Sequence, residues 1–295
     1  MSPRAWALFA AVSVLWGVPY LMIKVAVEEV SPVGVVAART LLAAAVLVPL
    51  AAATGGLRAV RHRWPDLLGL AALEIAVPFT LISAGERHVS SSLTAIVIAT
   101  GPFMAAGVGA LTGHDRVGPL NLAGMALGLG GVAMLVGVDV GGDRDALTGV
   151  AMILGAVACY SVAVIWMRVR FSDLPATGMM AVVCAAAAAM TLPFAAASLP
   201  AEVPSGKVLW SLVGLGLGCT ALALVLYMGL IAEIGGVRAI LITYVNPVVA
   251  VIAGVLVLDE PLTAAMLAGM ALIAAGSWVA TSRRPVPADP ADSPA

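Results

Sequence analysis

Two charged residues, Arg39 and Glu74, fall well inside apolar stretches long enough to cross a bilayer. A charge at the bilayer centre costs at least ~2.5–3.5 kcal/mol, so such a group faces a wet cavity or a partner. Arg39 lies ~10 Å below one end of its segment, and Glu74 lies ~12 Å from the opposite face, at 1.5 Å per helical residue. Arg39 reads as a fixed positive group that attracts a carboxylate or steadies a gate. It reads equally as an arginine bonded to backbone carbonyls or snorkelling outward. Glu74 is an acid that takes up a proton or an internal hydrogen-bond partner, and both readings stand. The difference in depth makes a direct Arg39–Glu74 pair depend on Arg39 reaching inward. Lys24 and Arg238 lie nearer segment ends, where snorkelling is the simpler reading.

Prolines inside the apolar segments add backbone chemistry, because each removes one hydrogen bond and frees the carbonyl four residues earlier. Pro102 and Pro247 free the carbonyls of Ile98 and Thr243; Pro19 and Pro78 free those of Leu15 and Glu74. As a set, they predict irregular backbone that lines a cavity or forms hinges, although a lone proline is as readily a plain kink. Aromatic and polar side chains fall at compatible depths: Trp16 and Tyr20 on one face of the first helix, Phe79, Tyr160, Tyr227, and Tyr244 with Asn246. Such walls suit a small molecule with an apolar body and polar ends. Trp16 leads the set, because it lies about ten residues into its helix, ~15 Å deep, where interfacial anchoring does not explain it.

The elements that must hold these residues are apolar segments near 5–26, 32–53, 65–86, 89–111, 118–138, 147–168, 176–198, 207–229, 236–257 and 262–282. Each is close to the length that crosses a ~30 Å hydrocarbon layer. Pro32, Pro65, Pro119, Pro175 and Pro261 sit at or beside their boundaries, where proline suits a helix start. The loops are short enough for a count of basic residues to predict orientation. Arg4, Arg58, Arg61, Arg63, Arg116, Arg168, Arg170, Arg283 and Arg284 lie on one side, and Lys24, Arg87, Arg144 and Lys207 on the other. That asymmetry predicts both termini in the cytoplasm. Trp6, Trp64, Trp166, Trp210 and Trp278 fall near segment ends, as an interfacial belt requires.

Composition supports the membrane reading. Of 295 residues, 62% are hydrophobic and 11% charged, which no water-soluble core of ordinary composition accommodates. The net charge of −1 includes no basic run for nucleic acid. Cys159, Cys184 and Cys219 have no CxxC spacing, so neither a disulfide framework nor a metal site is expected. The sequence lacks H-E-x-x-H, the P-loop pattern and G-x-S-x-G. Gly214-Leu215-Gly216-Leu217-Gly218 and Gly124-x-x-x-Gly128 read as close helix packing. No catalytic residue, cofactor or metal is expected, and the expected partners are a small-molecule substrate and the lipid bilayer, as a monomer or an oligomer.

The segments also repeat. Residues 81–133 lie on 226–278 at an offset of 145, and residues 16–53 lie on 160–197 at an offset of 144. This frame pairs Pro102 with Pro247, Asp115 with Glu260, Trp16 with Tyr160, Arg39 with Val183 and Glu74 with Cys219. An odd number of spans per copy gives the copies opposite orientations, the inverted-repeat plan of many transporters. The expected fold class is an all-α membrane protein with ten transmembrane helices, arranged as two inverted five-helix repeats around a central cavity. The repeats fill 1–140 and 146–283, with a disordered cytoplasmic tail over 284–295.

The sequence resembles the EamA-type branch of the drug/metabolite transporter superfamily. The resemblance rests on Trp16-Gly17 followed by Lys24, on Ser31-Pro32 and Arg39, and on Asn246-Pro247 followed by Asp259-Glu260-Pro261-Leu262-Thr263. The first half departs from the pattern at Gly113-His114-Asp115-Arg116, although Asp115 still supplies an acid. The resemblance implies alternating access in a bacterial inner membrane and export of amino acids or other metabolites, with aromatic amino acids as the nearest type. Asp115 and Glu260 at segment ends read as caps or gate contacts. Two further readings are efflux of lipophilic cations or drugs, with Glu74 as the counter-charge or proton site, and a membrane-embedded enzyme or sensor. The substrate, coupling ion, flux direction and oligomeric state are left open.

Overall fold

The computed structural model describes residues 1–114, 118–137, 142–239 and 241–281. Among them the secondary structure is helical, with no strand. Eight helices are long and apolar enough to cross a membrane: α1 (Pro3–Ala26), α2 (Pro32–Ala53), α3 (Gly56–Gly85), α4 (Ser91–Leu111), α6 (Arg144–Arg170), α7 (Ala176–Ala196), α8 (Gly206–Ile234) and α10 (Ala264–Thr281). Two shorter apolar helices, α5 (Pro119–Leu135) and α9 (Ile242–Leu258), complete the set. Backbone polar groups cannot go unpaired in lipid, which forces apolar stretches of this length into helices. The predicted Asp115 contact, Arg116 and the tail beyond residue 281 lie outside the described residues.

Local chemistry sets the helix starts. Ser2, Ser31 and Ser90 accept from the amides of Ala5, Gly34 and Leu93, and Pro3 and Pro32 open their helices where no N–H is needed. Pro119 opens α5 in the same way, and Asn121 Oδ1 accepts from the Gly118 amide at 3.0 Å. Two helix starts differ from the sequence expectation, and two helices are broken internally. α3 begins at Gly56, ahead of Pro65, because the chain turns there through Gly55 at φ +75°. α9 begins at Ile242, later than 236, because Gly235 at φ +79° ends α8 and a short helix over Gly236–Ala239 intervenes. α4 is broken between Ile98 and Gly101, ahead of Pro102, and α1 is broken at Val18 ahead of Pro19.

Helix packing follows a pattern that survives exchange of the two halves. α2 packs on α7, α4 on α9 and α5 on α10; α1 packs on α8 and α9, as α6 packs on α3 and α4. The α5–α10 crossing shows why small residues are needed there. A Cβ at Gly124 would strike the Ala280 amide and the Gly276 carbonyl; at Gly131 it would lie 3.1 Å from the Gly269 carbonyl. Gly124 and Gly276 exchange with Gly269 and Gly131 under the repeat offset, so both ends of this crossing obey one packing rule. The same exchange relates two π-helical stretches, Ala72–Ala76 in α3 and Gly214–Leu222 in α8. Among the tryptophans, Trp6, Trp64, Trp210 and Trp278 each expose more than half their surface, while Trp166 packs against Phe171 at 5.7 Å.

Candidate functional site

A cavity of about 230 Å³ lies between α1, α4, α6 and α9. Its wall includes Tyr20, Ile98, Gly101, Pro102, Tyr160, Ser161, Val164, Thr243, Asn246 and Pro247. Four repeat pairs are complete within it: Tyr20 with Val164, Ile98 with Thr243, Gly101 with Asn246, and Pro102 with Pro247. Ile98 and Thr243, which stand four residues before the paired prolines, are both wall residues.

Chemistry, however, is divided unequally between the pairs. The polar members Tyr20, Thr243 and Asn246 stand on α1 and α9, and their counterparts Val164, Ile98 and Gly101 stand on α6 and α4. Asn246 Oδ1 is buried with no hydrogen-bond partner among the described residues. On the opposite wall, Ser161 donates its hydroxyl to the Val157 carbonyl at 2.8 Å, which leaves the Tyr160 hydroxyl as the main polar group there. The cavity thus has one face for hydrogen bonding and one face for an apolar body.

Arg39 and Glu74 stand behind this wall and do not line it. The Arg39 guanidinium lies 4.1 Å from the Phe79 ring centroid, and Nε donates to Thr220 Oγ1 at 2.7 Å. Thr220 in turn donates to the Leu215 carbonyl five residues earlier, at 2.8 Å, the spacing a π-helix provides. α2 comes close enough to do this because Gly216 meets it without a side chain: a Cβ there would lie 3.0 Å from the Arg39 carbonyl. Phe79 meets Tyr160 edge-on at 6.5 Å, so Arg39 supports a cavity aromatic from behind. Arg39 and Glu74 form no ion pair; Glu74 Oε2 has no hydrogen-bond partner among the described residues, and the guanidinium meets Thr220 and Phe79.

The other aromatics in the sequence reading go elsewhere. Trp16 packs on Tyr227 with ring centroids 4.6 Å apart, in a cluster with Val12, Leu230 and Ile242. Tyr244 meets Trp278 at 6.4 Å. Pro19 and Pro78 sit at helix irregularities outside the wall, Pro78 just after the π-turn that carries Glu74. Sequence reasoning missed Ser161, Gly101 and Val164 as wall residues. The repeat held the signal for two of them: Ser161 is the counterpart of Gly17, and Gly101 that of Asn246.

One end of the bundle is tied shut by polar contacts. Lys24 Nζ donates to the carbonyls of Glu86 at 2.5 Å and Val89 at 2.8 Å, where α3 ends. The Glu260 carboxylate accepts from the amides of Ser91 at 2.7 Å and Ser92 at 3.0 Å, and from Ser92 Oγ at 2.5 Å. That carboxylate caps the α4 N-terminus, where the helix dipole favours an anion. Glu28 pairs with Lys207 at 2.6 Å, and Glu29 accepts from the Ser205 amide and hydroxyl at 2.6 and 2.7 Å. Those Ser205 hydrogen bonds hold the Glu29 carboxyl below its usual range. Towards the other end a second cavity of about 210 Å³ continues along the α4–α6 cleft, between Val108, Thr112 and His114 and Ile165, Trp166 and Val169.

The EamA-like transporter family matches residues 4–137 and again 147–282. The chain is 26% identical to a probable amino-acid metabolite efflux pump of Salmonella typhimurium, over 95% of each chain. It is 24% identical to the uncharacterized transporter YvbV of Bacillus subtilis, covering 92% of this chain and 89% of that one. It is 27% identical to the uncharacterized inner membrane transporter YedA of Escherichia coli, covering 85% and 82%. A solved crystal structure shares the fold at a TM-score of 0.68 and 22% identity, covering 95% of this chain and 97% of that one.

Proposed function

Since the chain belongs to the EamA-like transporter family and is a multi-pass membrane transporter, we propose that it exports small metabolites, amino acids foremost, by alternating access. The observation that carries this reading is the two-faced cavity. Asn246, Thr243 and Tyr20 meet the polar end of a ligand, and the α4–α6 wall receives its side chain. The rings of Tyr20 and Tyr160 favour large or aromatic side chains. At about 230 Å³ the space is below the ~300–1,000 Å³ of drug-sized sites, which favours a metabolite over a bulky drug. An acid on the wall would favour efflux of lipophilic cations, and the described wall residues include none.

We assign ten spans in two inverted five-helix repeats to an inner membrane, with both termini cytoplasmic. The packing exchange between the halves and the distribution of basic residues support this. In this orientation the tied end faces outward and the α4–α6 cleft leads inward. α1 and α9 are the repeat counterparts of α6 and α4, so the opposite state closes the α4–α6 cleft and opens the α1–α9 crossing. Substrate binds in one state and leaves from the other, with no residue acting as a catalyst.

The test is exchange of labelled amino acids into proteoliposomes preloaded with a panel of unlabelled ones. Aromatic and large aliphatic members exchange above empty vesicles; exchange of none of them ends the amino-acid reading.

A further inference from the structure

Glu86 is the first residue past α3, its relative exposure is 0%, and neither carboxylate oxygen has a partner among the described residues. Ser91 Oγ, at the other end of the same connection, is likewise fully buried and unpartnered. The charged neighbours are already engaged. The ammonium of Lys24, from α1, holds the carbonyls of Glu86 and Val89; Glu260 holds Ser91 and Ser92; and Arg87 reaches the Val30 carbonyl at 3.4 Å. Arg39 of α2 and Tyr20 of α1 also lie within electrostatic reach of Glu86, and His88 beside it is exposed. An ionised carboxylate with neither water nor donors is strongly disfavoured, whereas the neutral acid tolerates such a site. With Glu86 neutral, Lys24 and Glu260 balance one another.

We propose that Glu86 is a proton site that controls the tied end: neutral Glu86 keeps it shut, and ionised Glu86 releases it. The Lys24 ammonium is bound to the backbone carbonyl of the residue whose side chain ionises. A carboxylate there is a stronger acceptor than either carbonyl, since charge-assisted hydrogen bonds are about twice as strong as neutral ones. Lys24 therefore turns from Val89 to the Glu86 side chain, its hold on the Val89 end of the 86–90 connection is lost, and water enters there. The proton leaves Glu86 for the water on the side to which this end opens, and it returns when the end closes. A metal cation fits less well, because hard cations collect many oxygens and, among the described residues, only three buried side-chain oxygens are unpartnered here, beside an ammonium. Tyr20 carries the link to the cavity, since it lines the wall and lies within electrostatic reach of Glu86. The proposal extends the transport reading by naming the ion to which the cycle responds.

The experiment uses spin labels on cysteines at the exposed positions His88 and Glu202, in the full chain with Cys159, Cys184 and Cys219 replaced by alanine. The label separation is read in reconstituted membranes from acid to alkaline pH, with and without sodium. The wild type shifts from a short to a long separation as pH rises; Glu86→Gln stays short throughout, and Glu86→Asp shifts with a displaced midpoint. Lys24→Gln, which lacks the ammonium, stays long at all pH values. The proposal is overturned if Glu86→Gln follows the wild type, if Lys24→Gln stays short, if the wild type ignores pH, or if sodium alone drives the change. No transported substrate enters the measurement, so its failure is distinct from failure of the amino-acid reading.

Discussion

Gly17 of α1 packs on Val249 of α9 so closely that a Cβ on residue 17 would lie 2.5 Å from the Val249 Cβ. Its repeat counterpart, Ser161, instead faces the open cavity. One crossing is therefore closed and its twin open, which is the asymmetry an alternating cycle exchanges. Gly17→Ala overpacks the closed crossing at a rigid branched side chain, and overpacking of this kind costs about 1–3 kcal/mol. The expected outcome is a lower melting temperature in detergent and a shift towards the state in which α1 and α9 separate. A melting curve unchanged from the wild type would count against a closed α1–α9 crossing.

Asn246 offers an acceptor that no group among the described residues uses. Asn246→Ala therefore leaves stability within about 0.5 kcal/mol of the wild type, since the truncation breaks no internal hydrogen bond at that oxygen. It weakens binding of the best-exchanged amino acid about tenfold, the loss expected for one hydrogen bond to a charged group. Thermal shift and ligand titration on the same sample separate the two effects.

Arg39 acts through Phe79 and Thr220 and not through Glu74. Arg39→Lys loses the planar stacking and the directed Nε bond, so the charge-conserving change destabilises the protein. Thr220→Val leaves the guanidinium short of one acceptor and costs about 1.5–3 kcal/mol. Glu74→Gln changes stability little, because no ion pair is broken. Equal destabilisation by Glu74→Gln and Thr220→Val in chemical melts would refute this assignment.

Glu29 titrates at the tied end. Its folded-state value is lowered by the Ser205 hydrogen bonds, so this contact contributes fully above the unfolded carboxyl value and is lost as pH falls through the lowered one. The Ser205 amide should lose hydrogen-exchange protection, relative to the intrinsic rate, as the solution becomes more acid. In Glu29→Gln that protection should be weaker at neutral pH and insensitive to acid.

Much of the architecture was legible because lipid leaves the chain few options. A run of about 20 apolar residues becomes a helix wherever water is absent. Prolines and serines at the segment ends mark the starts of α1, α2, α4 and α5. The cavity was only partly legible. These helices are apolar on nearly every face, so no periodicity states which face looks inward; Tyr160 and its counterpart Trp16 read alike from sequence, yet only Tyr160 lines the wall. Depth alone made Trp16 the stronger choice, and the Tyr227 ring occupies it instead. Glu86 went unread because an acid at a segment end has the sequence appearance of a loop residue.

The sequence by itself determined the helical segments, their duplicated order and the family, since each follows from composition, spacing and local capping. Only the tertiary structure decided that Arg39 stacks on Phe79 rather than meeting Glu74, that the cavity is polar on its α1–α9 side, and that the Glu86 carboxylate is buried with no partner among the described residues. The physical reason is that facing, partnership and burial depend on how helices pack across one another. Close approaches at Gly17 and Gly216 set that packing, and the residues they bring together are far apart in the chain.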